Sequence, residues 1–221
     1  LDLIGQALAL APNQPVFHTN LGKVLRDLGR PQDALACCRR AVALDETSAD
    51  AHARLADTLQ LLGQSDAAIA SYRRALSLTP GLAEVQISLG NLLFARDELD
   101  AAEACYRAAL DLEPDNADAH NNIGTVLYRR GNLEDATAFC RRALALNPRY
   151  EPAYVNLGDI CRQQQRSEDA AAYYQQAIAL KPDRPDSHNK LGAARLDLRQ
   201  VVEAVGSFRT ATRLAPEYAE P

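Results

Sequence analysis

Apolar and small residues recur along the chain with a period of 34 residues. Six consecutive blocks of this length begin at Pro15, Ala49, Ala83, Ala117, Glu151 and Pro185. When each block is numbered from 1 to 34, positions 4, 7, 8 and 11 fall on one helical stripe. Positions 20, 24, 27 and 30 fall on a second stripe. The pattern therefore predicts two amphipathic helices in every block, an A helix followed by a B helix.

Small residues occupy the positions where the two helices should meet. Position 8 is Gly or Ala in all six blocks, and positions 20 and 27 are always Ala. These residues leave room for close approach of two backbones, and the larger residue at position 24 fills the space between them. Glycine at position 15 suits a left-handed residue ending helix A, as at Gly29, Gly63 and Gly131. Acids open helix B and complement its dipole, and proline at position 32 ends it in five of the six blocks.

This frame resembles the tetratricopeptide repeat, a unit of 34 residues. The residues that carry the resemblance are Leu-Gly at positions 7 and 8, Ala at 20, an aromatic at 24, Ala at 27 and Pro at 32. The resemblance implies an all-α fold, a right-handed superhelical solenoid of antiparallel helix pairs. The expected units are 15–48, 49–82, 83–116, 117–150, 151–184 and 185–218, with a partial helix B at 1–14 and the start of a seventh unit at 219–221.

Part of the A-helix face resembles a narrower group within this family. The run from Ala117 to Gly124 and the run from Tyr154 to Gly158 are similar to repeats of O-linked N-acetylglucosamine transferases and related bacterial proteins. This resemblance implies an alternative function, in which the chain is the substrate-recognition arm of a larger glycosyltransferase.

Composition excludes several classes of function. The net charge of -5 gives no basic surface for nucleic acid. No apolar run approaches the roughly 18 residues of a membrane helix, so no membrane insertion is expected. The five cysteines form no CxxC pair, which argues against disulfides and zinc and favours a reducing, cytoplasmic location without a signal peptide. The absence of methionine suggests a fragment of a longer protein.

Neither the histidines nor the cysteines form a catalytic or metal-binding set. His18, His52, His120 and His188 all occupy position 4 but lie in different blocks, where they are expected to pack at the A-helix seam. Cysteines at positions 11 and 24 are expected in the core. Arginine pairs at positions 25 and 26 are interpreted as a solvated face of helix B. No enzymatic activity and no cofactor are predicted for this chain.

By the family resemblance, the face of each A helix that points away from helix B lines a concave groove. An asparagine amide carries both a donor and an acceptor and can pair with extended backbone. Asparagines recur at positions 5 and 6, either as a backbone-reading row or as an ordinary polar face. Tyr128 and Phe94 at position 12 are either aromatic anchors or packing residues. The predicted partner-binding residues are Asn20, Lys23, Arg54, Asp57, Asn91, Asn121, Asn122, Tyr128, Asn156, Asp159 and Asn189.

The predicted function is a protein-interaction scaffold that holds a peptide or extended polypeptide in this groove. The residue set that grips the carboxylate tails of heat-shock chaperones is missing, since Glu84 and Ser88 stand where that set has basic side chains. A spacer or assembly role is a third reading. Arg195 at position 11 and Arg199 at position 15 weaken the last unit, so weak end-to-end self-association is also predicted.

Overall fold

The computed structural model describes residues 11–215, and these residues form twelve α-helices with no β-strand. The chain divides into two compact units, Leu1–Pro114 and Asp115–Pro221. Unit 1 contains α1 (Pro15–Asp27), α2 (Pro31–Leu44), α3 (Ala49–Leu61), α4 (Ser65–Leu78), α5 (Ala83–Ala95) and α6 (Leu99–Leu112). Unit 2 contains α7 (Ala117–Arg129), α8 (Leu133–Leu146), α9 (Glu151–Gln163), α10 (Ser167–Leu180), α11 (Pro185–Asp197) and α12 (Val201–Leu214).

The helices form consecutive antiparallel pairs, so the predicted all-α repeat fold is confirmed. The odd-numbered helices are the A helices, and the even-numbered helices are the B helices. Within each unit, a B helix packs against the A helix of the next pair. The expected partial helix before residue 11 and the expected seventh unit after residue 218 lie outside the described residues.

The core of each pair is built on small residues. Every alanine at positions 20 and 27 is buried, with exposure between 0% and the 8% of Ala211. A Cβ built at Gly124 would lie 2.7 Å from Cys140 Sγ and 3.2 Å from the carbonyl oxygen of Ala136. In this repeat the A and B helices therefore approach closely enough that a side chain at position 8 would meet backbone as well as side chain.

Each A helix ends in the same left-handed turn. The residue at position 15 has a φ between +61° and +79° in all six pairs, including three residues that are not glycine: Asp97, Gln165 and Arg199. The next amide donates to the carbonyl five residues earlier, as from Arg166 to Cys161 at 2.8 Å. This is the Schellman arrangement, and it confirms the predicted role of the glycines at position 15.

Exchanging the residues at position 15 of two neighbouring repeats tests whether a side chain in this left-handed turn is strained. Gln165→Gly is expected to raise the free energy of unfolding by about 1 kcal/mol, because a side chain in the left-handed region carries a penalty that glycine lacks. Gly131→Gln, the reverse change in the preceding repeat, is expected to lower it by a similar amount. Urea unfolding followed by circular dichroism measures both. If Gln165→Gly lowered the free energy of unfolding, the contacts of the Gln165 side chain would contribute more stability than the left-handed backbone conformation costs.

Candidate functional site

Buried tyrosines of the B helices support polar residues on the A helices. Tyr72, Tyr106 and Tyr174 are at most 2% exposed. Each donates its hydroxyl proton to the side chain at position 9 of its own repeat, over 2.7–2.8 Å. The acceptors are Asp57, Asn91 and Asp159, three of the predicted partner-binding residues.

These tyrosines are held as neutral donors. Burial raises the pKa of Tyr72 and of Tyr174, and the neighbouring carboxylates of Asp57 and Asp159 raise it further. Burial also raises the pKa of Tyr106. A neutral hydroxyl donating to a carboxylate is a charge-assisted hydrogen bond, which fixes the geometry of the acceptor. In each of these three repeats, one side-chain oxygen at position 9 is therefore held in place by a hydrogen bond from a buried tyrosine.

In unit 1, Asp57 is the centre of a small charge network. Its Oδ2 accepts from Arg26 of the preceding repeat at 2.6 Å and lies 3.4 Å from Arg54 Nη1. Arg54 also reaches Asp50 at 3.1 Å. The predicted contact residues Arg54 and Asp57 are therefore paired with each other and with the neighbouring A helix.

In unit 2, the A helices α7, α9 and α11 are linked by polar side chains. Asn156 Nδ2 donates to Asn121 Oδ1 at 2.8 Å and to Thr125 Oγ1 at 2.9 Å. Lys190 Nζ donates to Asp159 Oδ2 at 2.5 Å. Each contact joins one A helix to the next, so the polar face is ordered by the stacking of the repeats.

Asn121 does not have the position that the asparagine row requires. Its side chain is only 4% exposed, and its Oδ1 is taken by Asn156. In this repeat, position 5 faces the A helix of the following repeat, so Asn121 is almost entirely removed from solvent. Asn122 and Asn156 are half-buried.

A depression of about 550 Å³ lies beside this face in unit 2. The predicted residues Tyr128 and Asp159 line it. So do residues that the sequence reading did not select, Arg162, Gln163 and Asp197, at positions 12 and 13. Arg162 Nε donates to Asp197 Oδ2 at 2.6 Å across two repeats. Charged residues at positions 12 and 13 of neighbouring A helices are the signal that would have found them.

The remaining predicted residues lie on separate parts of the two units. Asn20 and Lys23 are exposed on α1, and Asn91 is exposed on α5, where it accepts from Tyr106. Asn189 lines a different depression, of about 170 Å³, together with Phe208 of α12. Asn189 is therefore not brought together with Asn122 and Asn156.

The sequence comparison decides the family. Three models described as tetratricopeptide or TPR repeats match residues 15–80, 87–151 and 158–198, which together make up most of the chain. The chain belongs to the tetratricopeptide repeat family. No curated protein matches the sequence.

Solved structures of tetratricopeptide repeat proteins share this fold. A chain of the APC/C hetero-tetramer Cut9–Hcn1 has a TM-score of 0.85 at 17% identity, over 97% of this chain and 42% of that chain. Pseudomonas aeruginosa PilF has a TM-score of 0.78 at 22% identity, over 91% of this chain and 92% of its own. YrrB, described as a TPR protein with an unusual peptide-binding site, has a TM-score of 0.66 at 20% identity, over 81% of this chain and 93% of its own. At these identities the likeness shows the fold alone.

The histidines of these tetratricopeptide repeats lie at the seam between repeats. Nε2 of His18, His52 and His188 lies 2.8–3.1 Å from a carbonyl oxygen six residues earlier, at position 32 of the preceding repeat. Tyr154, at the same position in its repeat, donates to the corresponding carbonyl of Pro148 at 3.2 Å. The ring of His120 packs against Phe139. In four of the six repeats, position 4 therefore joins the A helix to the loop before it.

The cysteines at positions 11 and 24 are core residues of the repeat. Cys38, Cys140 and Cys161 are at most 4% exposed, and all five cysteines are free thiols. Burial raises the pKa of the Cys140 thiol from 9.0 to about 12. A thiol held protonated in the core is a poor nucleophile, which fits a packing role.

Two further features bear on the chemistry of residues 11–215. Over this range, no group of three or more His, Cys, Asp or Glu side chains is arranged to hold a metal ion. None of the helices in the same range has the length and apolar character needed to cross a bilayer.

The first turns of α12 carry exposed apolar side chains in the repeat for which self-association was predicted. Val201, Val202 and Val205 are 56%, 83% and 40% exposed. Arg195, which replaces an apolar residue at position 11, donates to Ser207 at 2.7 Å. Self-association stays a prediction, and a strictly monomeric mass by light scattering at high concentration would remove it.

Proposed function

We propose that this tetratricopeptide repeat protein is an interaction scaffold that binds an extended polypeptide segment along its A helices. Repeats of this family are generally non-catalytic and form extended binding surfaces. The proposal assigns the contacts in unit 2 to Asn122, Tyr128, Asn156 and Arg162, around the depression described above.

The observation that carries the proposal is that hydrogen bonds hold the polar side chains on this face of unit 2 in fixed positions. Asp159 is held by Tyr174 and Lys190, and Arg162 is held by Asp197. Asn156 is held by Asn121 and Thr125. Side chains held in one geometry lose less conformational entropy when a partner binds. A polar face organised in this way favours recognition over mere solvation.

The groups left available match the backbone of an extended chain. Asn156 uses its amide hydrogens within the protein, which leaves its Oδ1 as an acceptor for a peptide N–H. Arg162 keeps a side chain that is 44% exposed, with donors for a peptide carbonyl. Tyr128 adds an aromatic surface, a residue type that dominates the energy of many interfaces. Together these groups would bind backbone with little demand on sequence.

A peptide array on the wild type and on Asn122→Ala/Asn156→Ala tests the proposal. We expect the wild type to bind several unrelated extended peptides and the double variant to lose about tenfold in affinity. Tyr128→Ala is a second variant, because it removes a contact without touching the asparagines.

Asn156 also satisfies a buried amide oxygen, so its removal is expected to cost about 1–3 kcal/mol of stability. Binding is therefore compared at a temperature where circular dichroism shows both proteins folded. Gln175→Ala/Gln176→Ala, on the exposed face of α10 in the same unit, is the matched control. The proposal fails if the wild type binds no peptide, or if the double variant and Tyr128→Ala both bind as the wild type does.

The alternative function, a targeting arm of a glycosyltransferase, stays a prediction from the sequence. The family models match the repeats and carry no information on an attached catalytic domain. In that case the same polar face would select the substrate of the larger enzyme.

A further inference from the structure

A second depression lies on the A helices of unit 1. It has a volume of about 650 Å³ and lies between α3 and α5, closed at one side by the loop before α5. We name it the α3–α5 cleft, and its charged lining consists of Asp50, Arg54, Asp57, Glu84 and Glu113.

The floor of the cleft is apolar. Ala53 and Ala83 are 6% and 5% exposed, and Leu82 and Val85 are half-buried beside them. An apolar side chain of a partner would be removed from water on this floor, which is favourable in proportion to the area covered. The cleft is therefore more than a charged surface, because it offers a place for a side chain between two helices.

The rim carries an excess of negative charge. Four carboxylates line the cleft. Arg54 lies between Asp50 and Asp57, and Arg26 of the preceding repeat also pairs with Asp57, so the carboxylates still outnumber the cations. Glu84 is exposed and makes no ion pair with any residue in the described part of the chain. A low-dielectric wall next to carboxylates of one sign strengthens the local field and favours a cationic occupant.

We infer that the α3–α5 cleft docks a basic segment of a partner protein, in which an apolar residue is flanked by lysine or arginine. The apolar residue would lie on Ala53 and Val85, and a flanking cation would face the exposed carboxylate of Glu84. Electrostatic complementarity of this kind acts mainly on specificity and on the association rate. The inference rests on the proposed function, since it names the chemistry of one segment that these repeats would hold.

Fluorescence anisotropy with three labelled peptides tests the inference. The peptides share a central leucine in an extended sequence, flanked by lysine and arginine, by glutamine and serine, or by glutamate and aspartate. We expect the basic peptide to bind about tenfold more tightly than the acidic one. Raising the salt concentration from about 0.05 M to 0.5 M should weaken the basic peptide, because the ions screen exposed charges.

Charge reversal at the rim locates the effect. Glu84→Lys is expected to weaken the basic peptide about fivefold. Glu134→Lys is the matched control, because Glu134 is also an exposed glutamate in the first turn of its helix but lies on α8 of unit 2. An equal loss in both variants would show that only the overall charge matters, which overturns the inference.

The outcomes separate this inference from the proposed function. If the neutral peptide binds as well as the basic one and Asn122→Ala/Asn156→Ala abolishes that binding, the scaffold proposal stands and the cleft inference falls. If no peptide of any charge binds, both fall. Preferential binding of the basic peptide that Glu84→Lys weakens and Glu134→Lys spares supports the inference.

Discussion

Raising the pH from 8 to 11 is expected to lower the free energy of unfolding by about 7 kcal/mol. Burial raises the pKa of Tyr72, Tyr106 and Tyr174 above the ordinary 10.0 and raises the pKa of Cys140 from 9.0 to about 12. In the unfolded chain these groups ionise near their ordinary values, so the folded chain holds more protons in alkaline solution. The stability that they contribute is therefore complete below about pH 9 and is lost as the pH rises.

Each group that is ionised only in the unfolded chain costs about 1.4 kcal/mol per pH unit. The background from lysine is small, because the chain has lysine only at positions 23, 181 and 190. Urea unfolding at pH 8, 9, 10 and 11 measures the loss. A variant with Tyr72, Tyr106 and Tyr174 all changed to phenylalanine is the control, and its stability should fall less steeply above pH 10. A wild type equally stable at pH 8 and pH 11 would contradict the expectation.

Removing the ring of Tyr174 is expected to cost about 3–5 kcal/mol, the range for truncation of a large buried aromatic residue. Tyr174 is 0% exposed, and its ring fills the space over Gly158. Tyr174→Phe keeps the ring and removes only the hydroxyl that donates to Asp159 at 2.7 Å. A hydrogen bond to a charged group contributes about 1.5–3 kcal/mol, so Tyr174→Phe should cost less than Tyr174→Ala.

The sixth repeat suggests how the loss of stability in Tyr174→Phe can be reduced. There, position 24 is Phe208 and position 9 is Ala193, so an aromatic ring is present without a hydroxyl and without an acceptor. Tyr174→Phe/Asp159→Ala reproduces this combination in the fifth repeat. We expect the double variant to lose about 1 kcal/mol less free energy of unfolding than the sum of the losses in the two single variants.

Thermal and urea unfolding of the wild type, both single variants and the double variant measure this coupling. Asp159 also binds Lys190 at 2.5 Å, so Asp159→Ala alone should be destabilising as well. Strictly additive changes would show that the hydroxyl and the carboxylate contribute independently, which would contradict a stabilising hydrogen bond between Tyr174 and Asp159.

The pairing of positions 24 and 9 was already visible in the sequence. Tyrosine at position 24 occurs in the second, third and fifth repeats, and position 9 of those repeats is Asp57, Asn91 and Asp159. The other repeats have Cys38, Cys140 or Phe208 at position 24, and position 9 is then Lys23, Thr125 or Ala193. Reading the two positions together would have assigned the residues at position 9 a supporting role beside any role in binding.

The binding role of the predicted site residues stays a prediction, but their positions can be compared with the structure. Tyr128 and Asp159 were predicted from the face of helix A, and they line the same depression in unit 2. Asn121 was predicted with them but is buried, because position 5 points at the next A helix. Arg162 was missed because its partner Asp197 is 35 residues away, in the next repeat, so only a comparison of positions 12 and 13 between neighbouring repeats joins the two.

By itself, the sequence determined the helices, their ends and the close packing of each pair. These features depend on residues within a single repeat: alanine at positions 20 and 27 for close approach, and glycine at position 15 for the left-handed turn. Only the tertiary structure decided which polar side chains pair with one another between neighbouring repeats. Hydrogen bonds such as Asn156 to Asn121 depend on the distance between helices of neighbouring repeats, and a one-dimensional pattern does not contain that distance.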